Sequence, residues 1–214
     1  MIDDKPITDA QVDARPHPAG KKGAMISLSE VADRAWKARM SPRLRAWATQ
    51  VIDKAGRPTG RRQKAQAILD AYRKKVPYVA DPVMGEFIAK PEQTLCLDEG
   101  GICIIGGDCD DAATTLAATM MSIGIPAMII GSSHSDPIDT PTHVYMAFQD
   151  EVDDWVRMDG TTRHPVGRVP PRLREFWFEP GKDNKDSGEG DFVGMSGALD
   201  AAPSLLDLKF PGIK

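Results

Sequence analysis

No stretch of this sequence approaches the roughly 20 consecutive apolar residues that a membrane helix needs. Its opening, MIDDKPITDA, is acidic and lacks the apolar block of a secretory signal. A soluble, cytoplasmic chain without a membrane span is the expectation. Cysteine is scarce as well. Cys96, Cys103 and Cys109 are too few and too odd in number for a disulfide scaffold, so reduced thiols are the default. Basic residues are not in excess: the net charge is -4. That figure conceals an asymmetry, because residues 1–76 carry 17 Lys and Arg against 8 Asp and Glu, leaving 10 against 23 for residues 77–214. A basic helical segment packed beside an acidic body accounts for it. The basic part has no groove-reading motif and little aromatic interleaving, which argues against nucleic acid as a partner.

The 214 residues suit one domain with extensions. Residues 1–25 are polar, with Pro6, Pro16, Pro18 and a Gly-Lys-Lys-Gly turn, and read as a flexible arm. Residues 26–180 form the domain, and 181–214 a Gly/Asp/Lys/Ser-rich linker with a short apolar tail. Within the domain, Ser29 can cap a short helix ending near Met40. Ser41-Pro42 opens a second, with Leu44, Trp47, Ala48, Val51 and Ile52 on one face until Gly56. Gly60 precedes a third, with Ala65, Ile68, Leu69 and Tyr72 at helical spacing until Pro77. Pro77 to Gly107 shows no sustained period and reads as an irregular connection. Then come a helix from Cys109, a stop at Gly124-Ile125-Pro126, an apolar strand from Ala127 to Gly131, a polar loop and two alternating strands.

Cys109, Ala112, Ala113, Leu116, Ala117, Met120 and Met121 follow the spacing of one helix face, so Cys109 falls on the core side of the first turn. Asp108 is a good N-cap and Asp111 occupies the capping-box position. The helix N-terminus favours a thiolate, while three neighbouring aspartates oppose it. Taken alone, the stretch fits a buried inert cysteine as well as a nucleophile, and the nucleophile needs an imidazole.

Residues 142–149 and 154–159 supply one. Pairing Phe148 with Asp154 sets Met146 opposite Val156, Val144 opposite Met158 and His143 opposite Asp159. Val144, Met146, Phe148, Val156 and Met158 then share an apolar face, with His143, Tyr145, Ala147, Trp155, Arg157 and Asp159 on the other. Opposed residues have Cβ atoms about 4.5–5.5 Å apart, so Asp159 reaches the His143 ring and can fix its tautomer.

This succession resembles the transglutaminase-like superfamily of papain-like cysteine enzymes. The likeness lies in GGDCDDAATTLAATMMSIGIPAMIIG, THVYMAF and WVRMDGT, and more weakly in the lead-in VPYVADPVMGEFIAKPEQTL, which is similar to that of bacterial and phage-encoded members. It covers roughly residues 60–165. The resemblance implies an α+β fold with N-terminal helices and a nucleophile helix packed on an antiparallel sheet. It implies Cys109 as nucleophile, His143 as base then acid, Asp159 as orienting carboxylate, and no cofactor or metal. The reaction would be acyl transfer through a thioester, with the oxyanion held by the Cys109 N–H and a side-chain donor. Gln93, Tyr145 and Trp155 are candidates for that donor. One departure is MDGTT, where many members have proline after the aspartate. Another is a second histidine, His134, in the loop with Asp136 and Asp139.

Two other readings compete. Cys96, Cys103 and Cys109 with His134 or His143 could supply four zinc ligands, although the spacings fit no common knuckle. Asp108, Asp110 and Asp111 could hold a cation, but capping explains them. His17 and His164 lie in Pro-rich or Arg-rich loops and carry no weight. The alternative function is structural: a component of a larger particle such as a phage virion, engaging assembly partners through its terminal arms, and virion-associated if phage-encoded. The preferred reading is hydrolysis of an amide in a peptide or peptidoglycan-like substrate. Hydrolysis is favoured over cross-linking by analogy with small microbial relatives.

Overall fold

A computed structural model of the chain describes residues 20–81, 87–97, 106–135 and 138–182. The terminal segments 1–19 and 183–214, and with them the assembly role assigned to both arms, lie outside the described residues, as do Cys103, Asp136 and His17. The elements are α1 (Lys21–Ala38), α2 (Pro42–Lys54), α3 (Arg61–Lys75), α4 (Pro91–Thr94), α5 (Cys109–Ser122), β1 (Ala127–Ser133), β2 (His143–Gln149), β3 (Trp155–Met158) and β4 (Arg174–Phe178). All strand pairs are antiparallel, in the order β3-β2-β1-β4. The fold is therefore α+β, with helices on one face of an antiparallel sheet.

α2 and α3 form where their periodicity and caps predict. The Ser41 side chain accepts from the Leu44 N–H, Pro42 fills the first turn, and Ala65, Ile68, Leu69 and Tyr72 are all buried. α1 starts earlier than a cap at Ser29 would allow. Gly20, at φ 76°, is its N-cap, so Lys21, Lys22 and Gly23 are its first turn, not a loop. Leu28, Val31, Ala32 and Ala35 are its buried stripe.

α5 is the centre of the molecule, packed by α1, α2, α3 and α4 and lying against β1 and β2. A one-sided apolar stripe does not describe it, because Asp110, Asp111, Thr114, Thr115, Thr119 and Ser122 are buried along with the alanines. Small residues permit that enclosure. Two hydroxyls turn back onto the helix: Thr119 donates to the Thr115 carbonyl at 2.7 Å and Ser122 to that of Thr119 at 2.8 Å.

The hairpin keeps its predicted faces but not its register. Phe148 pairs with Val156, Met146 with Met158 and Gln149 with Trp155, an offset of two residues that leaves the apolar set inward. The turn causes the shift. Asp150 is buried, its Oδ1 accepts from the N–H groups of Val152 and Asp154, and its Oδ2 from Arg62, so residues 150–154 curl around one carboxylate and Asp154 never joins the strand. β4 completes the sheet beside β1, with Ile130 opposite Trp177. It falls in a stretch where the sequence pattern shows no strand. Among the described residues no helix is long and apolar enough to cross a membrane.

Candidate functional site

Asp159 follows the last residue of β3, and its carboxylate turns back to the first residue of β2. His143 Nε2 and Asp159 Oδ2 are 2.9 Å apart. The pair predicted as directly opposed residues therefore exists, but outside the ladder. Oδ1 of the same carboxylate accepts from the Thr161 N–H at 2.9 Å and hydroxyl at 2.8 Å. Burial raises this carboxyl, but His143 and the Thr161 donors more than offset it, and the group lies below its ordinary value. Since a carboxylate only accepts, Nε2 carries the proton and Nδ1 is left to face another group. Arg73 secures the turn from α3, donating to the carbonyls of Asp159 at 2.6 Å and His164 at 2.7 Å.

The residue after Asp159 carries the link to α5. A Cβ added at Gly160 would lie 2.9 Å from Ala112 Cβ, 3.0 Å from Leu116 Cδ1 and 3.1 Å from Tyr72 Cε1. Ala112 is three residues beyond Cys109, so the Asp159 turn rests on the first turn of α5. The glycine in MDGTT is thus required by close approach. Replacing Gly160 by alanine is expected to cost about 1–3 kcal/mol by overpacking. A denaturant midpoint equal to wild type would contradict this.

Cys109 is half-buried and opens α5 as a thiol outside any disulfide. Asp108 caps the helix, accepting from the Asp110 N–H at 3.2 Å. Gly106 and Gly107 lead into it beside an extended segment: the Val79 N–H donates to the Gly107 carbonyl and the Gly107 N–H to that of Pro77, both at 3.1 Å. Gly106, at φ 113°, admits Val79, whose Cγ2 would be 2.3 Å from any added Cβ. Tyr78 is thereby set near the thiol. Burial first, then the charge on Cys109, raises its phenol, which stays protonated. Sequence reasoning missed Tyr78, since no pattern in residues 77–107 ties it to the helix.

Asp111 is the second unforeseen element. Burial raises its carboxyl from 3.8 to about 7, although the Ala89 and Asp108 N–H groups favour the charged form. Its Oδ1 accepts from Ala89 at 2.7 Å, tying the segment before α4 to α5. Below about pH 7 it adds no negative charge beside Cys109, so the three aspartates oppose a thiolate less than their number suggests.

The oxyanion candidates separate. Trp155 faces Gln149 at the far end of β2, six residues from His143 and so about 20 Å along the strand. It packs edge-on against Trp177. Tyr145 has its ring centroid 5.9 Å from that of His143, but the hydroxyl is buried and donates to Glu175. Gln93 is half-buried on α4, which packs on α5 and is tethered through Ala89. Its Oε1 accepts from the Lys90 N–H at 3.4 Å, and the amide nitrogen is its donor.

The donor sets bear differently on the two metal alternatives. Cys96 is disulfide-bonded, which corrects the expectation of three reduced thiols and removes a ligand from the four-residue zinc set. Its residue lies at φ 50° in the turn after α4. Ligand atoms of Asp108, Asp110 and Asp111 fall within 4.8 Å of one another. Asp108 serves as cap, and Asp111 accepts from Ala89.

A family model described as the transglutaminase-like superfamily core matches residues 45–160, more than half of the chain. No curated protein matches it. The chain is similar to a solved structure of a candidate cysteine protease from Cytophaga hutchinsonii, at 15% identity and a TM-score of 0.42, covering 65% of this chain and 45% of that one. It is also similar to a candidate protease from Parabacteroides distasonis, at 12% identity and a TM-score of 0.47, covering 69% of this chain and 27% of that one. The chain thus spans less than half of either protein. With the family model covering α2 through the Asp159 turn, the chain belongs to the transglutaminase-like superfamily and has its fold.

Proposed function

We propose that the chain is a cysteine hydrolase that cleaves an amide bond in a peptide or peptidoglycan-like substrate. Cys109, His143 and Asp159 form its triad. The observation that carries this reading is the His143–Asp159 bond, held by Thr161 and Arg73 on a turn that rests on the first turn of the Cys109 helix.

In the first half-reaction His143 Nδ1 takes the Sγ proton as Sγ bonds to the amide carbon. The oxyanion accepts from the Cys109 N–H and the Gln93 amide. The C–N bond then breaks as the imidazolium returns that proton to the departing amine, leaving a thioester. Water attacks the thioester carbon, giving its proton to His143, and the C–S bond breaks to release the acid and restore the thiol. Asp159 supports the imidazolium in both halves without taking a proton. Exposed Tyr78 and Val79 beside Gly107, and Ile138 and Leu173 beside Ser133, give this end of the molecule an apolar rim suited to peptide side chains.

A thiol-directed acylating probe tests the reading. Wild-type protein is expected to label at Cys109, Cys109→Ala not at all, and His143→Ala at least 100-fold more slowly. Slow labelling of all three proteins would contradict it. The assembly alternative depends on arms outside the described residues, and no observation here favours it.

A further inference from the structure

His134, which the proposed reaction leaves unused, stands directly after β1, and both of its ring nitrogens are engaged. Nδ1 lies 2.6 Å from the Pro171 carbonyl oxygen, which can only accept, so Nδ1 carries a proton. Nε2 lies 3.0 Å from Ser132 Oγ. Ser132 is fully buried and pairs across the ladder with His143. Its hydroxyl is also 3.5 Å from the His143 carbonyl. The two imidazole centroids are 5.8 Å apart, at 57°.

One hydroxyl proton cannot serve both neighbours. While His134 is neutral, Nε2 accepts and the Ser132 hydroxyl donates to it. Once His134 is protonated, Nε2 donates to Ser132 Oγ, and the hydroxyl proton turns toward the His143 carbonyl. At 5.8 Å two imidazolium rings also repel, and the proposed reaction needs the charge on His143.

The ionisable groups around the two rings are mostly matched. Asp159 is bonded to His143 from the end of β3. Tyr145 on β2 donates to Glu175 on β4, which is also paired with Arg157 and Arg172. Asp139 in the loop lies 3.6 Å from Lys21 of α1. Arg174 stands opposite Ser133, and Cys109 and Asp108 lie at the α5 end.

We propose that His134 is a positioning residue of this site, locked as the Nδ1–H form, steadying the start of β2 through Ser132 and linking its own protonation to that of His143. Its catalytic meaning rests on the hydrolase reading, but the linkage does not. Histidine ring resonances, labelled at Cε1, report it directly in titrations of wild type, His134→Gln and His143→Gln. The two wild-type midpoints are expected to sum to less than the two single-variant midpoints. Should a variant not fold, His134→Asn or His143→Asn supplies the missing midpoint. A sum that agrees within about 0.2 units overturns the proposal. Labelling Cys109 with the acylating probe in the same samples separates the outcomes. An inert Cys109 with coupled rings defeats the hydrolase reading alone, whereas a reactive Cys109 with uncoupled rings defeats this inference alone.

Discussion

Replacing Asp159 by alanine is expected to lower the acyl-transfer rate by about 10³ to 10⁴-fold, the loss typical when the orienting carboxylate of a nucleophile–histidine pair is removed. The turn should persist, because Arg73 bonds its backbone carbonyls. The more telling substitution is Asp159→Asn. Thr161 presents two donors to Oδ1, so the amide oxygen is drawn to that side and the amide NH₂ group faces His143 Nε2. Nε2 must then accept, which moves the ring proton to Nδ1, the nitrogen that receives the sulfur's proton in the proposed reaction. The asparagine variant is therefore expected to be almost as impaired as the alanine one while staying close to wild type in stability. Adding Thr161→Val to Asp159→Asn removes one competing donor and should recover part of the rate. Steady-state kinetics on an amide or thioester substrate measures both effects. An Asp159→Asn enzyme within about threefold of wild type would contradict the tautomer argument.

How far the sequence discloses this site depends on the range over which each residue acts. The Cys109 helix and the α2 and α3 faces were legible because caps and 3.6-residue spacing are local. The partition of the hairpin into two faces was legible because side chains alternate with period two, and it survived a register that differs by two residues. The register itself was not, since it is set by the Asp150 carboxylate folding residues 150–154 into a turn and by Arg62 holding it from another helix. His143 and Asp159 were found together because same-face residues on neighbouring strand ends stay within reach under either pairing. The surroundings of α5 were misread for the opposite reason. Periodicity reports which residues are apolar, not how many neighbours enclose a helix, and Asp110, Thr114 and Thr119 are buried in a helix that elements distant in sequence enclose. Asp111 bonding to Ala89, Gly160 seated on Ala112, and Tyr78 beside Gly107 all depend on chain segments meeting in space, which no spacing encodes.

Asp111 yields the strongest expectation for stability. Its carboxyl is raised from 3.8 to about 7, chiefly by burial. A carboxyl with a raised folded-state value binds its proton more tightly in the native state, so its contribution is fully present below about pH 4 and is lost as pH rises toward 7. Asp159 and Glu175 are held below their ordinary values, so what they contribute is lost only as pH falls below about 4. The two effects therefore occupy different windows. Between pH 4 and 7 the Asp111 term should cost about 2 to 4 kcal/mol. Asp111→Asn keeps an acceptor for the Ala89 N–H and cannot ionise. It is expected to match wild type near pH 4.5 and to exceed it by about 2 kcal/mol at pH 8, as read from urea unfolding at the two pH values. A difference that stays constant across that range would show that the carboxyl does not titrate inside it. Removing this charge should also help Cys109 at high pH, because one of the aspartates that oppose a thiolate at the start of α5 is then permanently neutral. Faster labelling of Cys109 at pH 8, with no change near pH 5, is the expected companion result. A substitution that raised stability and left the thiol unchanged would mean that Asp111 acts on the tether to Ala89 alone.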